Sequence, residues 1–270
     1  REDLEEIDAV RGEIEFRNLS FRYASAGADK ALHDISIRVA AGTSIGIVGA
    51  MGSGKSTLAS LIPRLYEVEP GELFIDGVDI NDIPLNSLRS SIAMVPQDSF
   101  LFSMSLADNI AYGDPDASTE HVRTAAQRAQ LDKDVDELPS GYGTLVGERG
   151  VMLSGGQRQR TALARALALN PSILILDDTL SSVDAETEAS IQRELAEVFV
   201  GLTVMVVASR VSTVCECDQI VVLEAGRIAE RGTHEELTAL GGLYVQLSEQ
   251  QREEDIAGSQ VEGAEAGAPA

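Results

Sequence analysis

Residues 49–57 read Gly-Ala-Met-Gly-Ser-Gly-Lys-Ser-Thr: a glycine, four residues, then Gly-Lys-Ser. This is the spacing of a phosphate-binding loop. Gly49, Gly52 and Gly54 let the backbone bend and bring its N–H groups close to phosphate oxygens. Lys55 sets an ammonium against the β- and γ-phosphates of a nucleotide, and Ser56 offers a hydroxyl to Mg²⁺. The flanks fit the loop. Ser44–Val48 is an apolar run that reads as a buried strand ending at Gly49, and residues 57–62 read as a helix leaving it.

The chain has 270 residues and 44% hydrophobic content, enough to bury the core of a large α/β domain. Its longest apolar runs, residues 203–208 and 173–176, fall far short of the roughly 20 residues needed to cross a bilayer. A formal charge of −23 argues against nucleic acid as a partner, because binding a phosphate backbone requires clustered Lys and Arg. The acidic clusters at residues 2–8 and 249–255 read as exposed linker and tail. The first eleven residues carry neither a basic start nor an apolar middle, and the expectation is a linker leading in from a longer chain. Cys215 and Cys217 are the two cysteines. They form neither a disulfide framework nor a zinc site, and are expected to be reduced and structural.

Residues 13–19 and 34–39 alternate apolar and polar side chains, which predicts an antiparallel β layer ahead of the phosphate loop. Tyr23 follows it closely, either packing at the layer's edge or stacking on a base. Residues 69–77 predict a turn, a short strand and a second turn, and 92–95 a short strand ending at Pro96-Gln97-Asp98. Residues 104–165 predict an inserted helical subdomain, with helices near 106–111, 120–129 and 132–138. It closes on Leu153-Ser154-Gly155-Gly156-Gln157 and a helix over 158–169. Ser-Gly-Gly at a helix start suits an anion. Residues 173–176 predict a buried strand ending in Asp177-Asp178, where a carboxylate can reach a loop-bound magnesium. A helix over 185–200 returns to a strand over 203–208, ending at Ser209. A hairpin around Ala225-Gly226, a helix over 234–247 and disorder from about 250 complete the reading.

The phosphate loop, Gln97, LSGGQRQR at 153–160 and the Asp177 strand occur in the order of the nucleotide-binding domain of ABC (ATP-binding cassette) transporters, which residues 12–248 resemble. VPQDSFLF at 95–102, GERG at 147–150 and GTHEEL at 232–237 resemble exporter-type members. The resemblance implies a P-loop NTPase core of mixed or parallel sheet with flanking helices, an N-terminal antiparallel layer and the helical insertion. It implies ATP and Mg²⁺ as ligands. Gly49, Met51, Gly52, Ser53, Gly54, Lys55, Ser56 and Thr57 would hold phosphate, Tyr23 the adenine, and Ser56, Gln97 and Asp177 the magnesium. Such domains pair head to tail, so Ser154, Gly155, Gly156 and Gln157 would serve ATP on the opposite subunit, with Asp184 in the D-loop. The other reading of Asp184, a helix N-cap before Ala185, is compatible with that role. Coupling helices of a transmembrane domain would dock on the cassette at the cytoplasmic face of the cell membrane.

The sequence departs from that family around one place. Asp178 stands where the family has a catalytic Glu, and Ser209 where it has a switch His. Thr179 and Leu180 replace the usual Pro and Thr. A carboxylate one methylene shorter misses the attacking water by an ångström or more, worth ~10²-fold in rate. A Ser hydroxyl stays neutral and cannot bridge as imidazole does. The expectation is half of a heterodimeric exporter: a slow ATP site here, with Asp178, Ser209 and Gln97 as its catalytic positions, and an intact LSGGQ completing a partner cassette that carries the Glu and His. The alternatives are a homodimeric exporter with active sites and a soluble ATP switch acting in translation or on DNA.

Overall fold

The structure is a computed structural model and describes residues 10–24, 31–147, 150–179 and 199–253. Alternating burial along β1 (Ile14–Phe21) and β2 (Leu32–Val39) builds a sheet with one face on the core. β1 pairs antiparallel with β2 on one edge and with β4 (Leu73–Ile75) on the other, and β5 (Val78–Asp79) completes the order β2-β1-β4-β5. In the turn between β4 and β5, the Asp76 carboxylate accepts the N–H groups of Arg11 at 2.6 Å and Glu13 at 2.9 Å, tying the incoming chain to this layer.

A second sheet carries the site. Its order is β10 (Arg227–Gly232), β9 (Gln219–Glu224), β3 (Ser44–Val48), β8 (Thr203–Ala208), β7 (Ile173–Asp177) and β6 (Ile92–Val95). All pairings are parallel except that of β10 with β9. Every residue of β7 and β8 is buried, as expected of parallel strands covered on both faces. Ile45, Ile47, Ile173, Ile175, Met205 and Val207 face α1 (Lys55–Leu61) and the antiparallel layer. Leu174, Leu176, Val204 and Val206 face α3 (Leu106–Ile110), α4 (Thr119–Arg128) and α6 (Gly155–Ala168). Register sets Val48 beside Ala208 and Asp177 beside Val207. Gly49, Ser209 and Asp178 therefore leave the sheet side by side at its carboxyl edge, where ligands of open α/β sheets bind.

The strands predicted near 92–95, 173–176 and 203–208 and the helices near 106, 120 and 132 are present, the last as α5 (Asp132–Glu137). Three expectations are corrected. An edge of the helical region at 165 falls inside α6, whose Leu163 and Leu167 share one core with strands β7 and β8, so the insertion has no separate core. The helix expected over 234–247 is two: α7 (His234–Leu240) stops where Gly241 turns left-handed at φ 65, and α8 occupies residues 243–253. Buried Leu237 and Tyr244 continue the apolar spacing across the break, which hides it from a periodicity argument. Disorder from 249 or 250 is also overturned as far as 253, because α8 continues and Gln251 is bonded to the body of the domain. The expected linker up to residue 9, Glu148 and Arg149, Leu180, Asp184, the helix expected over 185–200 as far as 198 and the expected tail from 254 lie outside the described residues.

Candidate nucleotide-binding site

β3 delivers the chain directly into the glycine loop, and α1 leaves it at Lys55. Gly54 sits at φ 104, and a Cβ there would lie 2.8 Å from Leu32 Cδ2 and 3.0 Å from the Ala31 carbonyl oxygen, so only glycine fits. Gly49 is confined likewise, since a Cβ would collide with the carbonyl of Leu223 in β9. As the residue before α1, Gly54 supplies no side-chain cap, leaving the first amides of the helix without a side-chain acceptor. The Ser53 hydroxyl beside them is buried and has no hydrogen-bond partner among the described residues. An orphaned buried hydroxyl next to uncapped amides is the donor set an anionic oxygen ligand would satisfy. Met51 is fully exposed, so it contributes backbone alone.

Lys55 folds back across the loop, and its Nζ donates to the carbonyls of Gly49 at 2.7 Å and Ala50 at 3.1 Å. Burial pushes its pKa down, while the nearby charges of Asp178 and Asp177 pull it up. Ser56 Oγ donates to Asp177 Oδ1 at 2.9 Å, bringing together two of the three expected magnesium ligands. Asp177 is buried at the tip of β7, and its pKa is raised, chiefly by burial and further by Asp178, against the lowering effects of the Ser56 bond and Lys55. One carboxylate and one hydroxyl, with phosphate oxygens and water, make the oxygen set that Mg²⁺ takes. Gln97 is not part of this pair: it lies exposed after β6, lines a crevice with Asp98, Phe100, Gly155 and Arg158, and makes no hydrogen bond to Ser56 or Asp177.

Tyr23 stands beside α1, with its hydroxyl 2.8 Å from Thr57 Oγ1 and its ring edge-on to Phe21 and Tyr66, each with centroids at 5.0 Å. Tyr66 carries no motif and was invisible in the sequence. At the far side of the sheet edge, Ser154 caps α6. Its Oγ accepts from Gln157 N at 3.2 Å, and Gln157 Oε1 accepts from Ser154 N at 3.0 Å. Among the described residues no hydrogen bond joins Ser154–Gln157 to the glycine loop. Asp134 of α5, also unmarked in the sequence, holds this turn from behind through Arg160 Nε at 2.7 Å and Gln157 Nε2 at 3.4 Å.

The two departures from the expected pattern touch each other. Ser209 Oγ lies 3.1 Å and 3.0 Å from the two Asp178 carboxylate oxygens, with the Ser209 N–H at 3.4 Å. Asp178 adopts a left-handed φ of 48, which Asp tolerates better than most residues, and its own N–H donates to Val207 O at 2.8 Å. The carboxylate is turned along the sheet edge toward the end of β8.

A family model for ABC transporters matches residues 32–181, more than half of the chain. The chain belongs to the ABC transporter family. The cassette is 48% identical over 240 residues to the ATP-dependent lipid A-core flippase of Legionella pneumophila, and 50% identical over 243 residues to that of Pseudomonas syringae pv. tomato. These alignments cover 89% and 90% of the cassette and 40% of each flippase, so the chain spans well under half the length of these relatives. A solved bacterial Atm1-family ABC exporter with ATP bound is similar at TM-score 0.83 and 40% identity, over 92% of the cassette and 44% of that exporter's chain. The chain is thus an ATP-binding cassette of the exporter type. No helix among its described residues is long and apolar enough to cross a membrane.

Proposed function

We propose that the cassette is the motor domain of an exporter-type transporter, binding MgATP through Gly49–Thr57 and Asp177 and hydrolysing it slowly at its own site. Tyr23 stacks on the adenine, and Ser56 with Asp177 holds the magnesium, joined by Gln97 when the site closes. Ser154, Gly155, Gly156 and Gln157 complete the site of a second cassette that carries an intact Glu and His, with Asp184 at the junction between the two. Coupling helices of a transmembrane domain dock on the cassette, which places it at the cytoplasmic face of the membrane. The cargo follows from that membrane domain.

The observation that carries the slow-site reading is the Ser209–Asp178 contact. A hydrogen bond to a charged group is worth about 1.5–3 kcal/mol, so Ser209 opposes any movement of the carboxylate toward an attacking water. Asp178 is a methylene short of that water to begin with. The same two positions that lose the Glu and the His have become partners.

Complementation tests both halves of the proposal. A copy carrying Asp178→Glu and Ser209→His regains the hydrolytic pair, and Ser154→Arg in the same copy blocks its signature. Neither that copy nor the unaltered chain hydrolyses ATP well alone. Mixed, the unaltered chain lends its signature to the restored site and turnover appears. A mixture as silent as its components would refute the head-to-tail assignment.

A further inference from the structure

The turn that carries Ser209 is gripped from a second direction. Gln251 Nε2 donates to the Ser209 carbonyl at 2.6 Å, and Gln251 Oε1 accepts the Val211 N–H at 2.8 Å. One primary amide thereby replaces the donor and acceptor that a neighbouring strand would offer beyond the end of β8. It fixes the peptides on both sides of Arg210. Ser209 is held between two partners: its hydroxyl and N–H face Asp178, and its carbonyl faces Gln251. α8 is a firm support for this grip. Glu230 of β10 accepts the N–H groups of Leu243 and Tyr244 at its start, and buried Tyr244 places its hydroxyl 2.8 Å from His234 Nδ1. From Leu243 to Gln251 the helix runs about 12 Å.

We propose that Gln251 is a positioning residue for the nucleotide site, setting the Ser209 turn against the terminal phosphate and linking the C-terminal helix to that phosphate. It touches neither nucleotide nor water; it acts through the backbone of residues 209–211. The inference rests on the reading of Asp178 and Ser209 as the γ-phosphate edge of the site. Without the amide, the turn after β8 keeps its side-chain contact to Asp178 but loses what orients its peptides.

The test compares equilibrium binding of Mg-AMPPNP, which carries a γ-position phosphate and resists cleavage, with that of MgADP, which lacks it. The proteins are the full 270-residue chain and its Gln251→Ala, Gln251→Glu and Glu249→Ala variants. Gln251→Glu keeps the volume and the acceptor for Val211 but sets a second oxygen against the Ser209 carbonyl, so it separates hydrogen bonding from packing. Both Gln251 variants are expected to lose about three- to tenfold in Mg-AMPPNP affinity, with MgADP unchanged within about twofold. Glu249→Ala, exposed on the same helix, is expected to bind both nucleotides as the unaltered chain does. An unchanged AMPPNP-to-ADP ratio would overturn the proposal, and so would equal losses for both nucleotides, which would make Gln251 a general support of the fold. Brisk hydrolysis by the unaltered chain would defeat the slow-site reading alone, since the affinity ratio is read without cleavage.

Discussion

The coupling between Asp178 and Ser209 has a size that the geometry fixes. Ser209→Ala removes a hydroxyl within 3.1 Å of both carboxylate oxygens and leaves the weaker N–H contact at 3.4 Å in place. Asp178→Asn is the cleaner partner change than Ala, because Asn tolerates the left-handed φ of 48 and keeps the shape while removing the charge. A hydrogen bond to a charged acceptor contributes about 1.5–3 kcal/mol and a neutral one about 0.5–1.5. The hydroxyl should therefore be worth about 1 kcal/mol more beside Asp178 than beside Asn. Urea unfolding of the unaltered chain, both single variants and the double variant, without nucleotide and at constant slope, measures that coupling directly. Additivity of the two changes within about 0.3 kcal/mol would refute the contact, and with it the argument that Ser209 restrains the carboxylate.

Two further outcomes follow from the same geometry. Asp177 is disfavoured as an anion by burial, so its pKa in the folded chain lies above its unfolded value; Asp177→Asn should raise the urea midpoint of the nucleotide-free chain at pH 7 while abolishing magnesium-dependent ATP binding. The midpoint gain should shrink as pH falls through the raised folded pKa and vanish below about 4, where both states are protonated. Arg165 of α6 donates to the carbonyls of Asn109 at 2.8 Å and Phe100 at 3.0 Å and to Asn109 Oδ1 at 2.9 Å; Arg165→Lys cannot reproduce that fork and should cost about 1–2 kcal/mol by denaturant titration.

The sequence was legible wherever chemistry demands particular residues at short spacing. Gly49 to Ser56 is such a place, because close backbone approach admits glycine alone and the lysine must follow at once. Ser154–Gln157 is another, since a capping box is a local device. The buried strands over 173–177 and 203–208 announce themselves by unbroken apolar runs. What stayed hidden depends on residues distant in the chain. The Gln251 amide meets residues 209–211 across forty positions, and nothing in its neighbourhood of Gln and Glu marks it. Asp178 and Ser209 were each visible as departures, but that they bond to one another is a consequence of β7 and β8 lying side by side. The Gly241-Gly242 break is hidden for the opposite reason: the apolar period of Leu237 and Tyr244 persists through it and outweighs two adjacent glycines. Gln97 is legible by motif, but its place beside Gly155 and Arg158, apart from the Ser56–Asp177 pair, is set by tertiary packing.

The slow site is tested most directly by what becomes of a single bound nucleotide. With the cassette in excess over labelled MgATP, the bound nucleotide is identified after quenching at successive times, for the unaltered chain and for Asp178→Glu with Ser209→His. The account predicts that the unaltered chain still holds ATP when the double variant has converted its nucleotide to ADP, with rates apart by ~10²-fold. Equal conversion by the two proteins would contradict it, and Asp178 would then be a competent catalytic carboxylate as it stands.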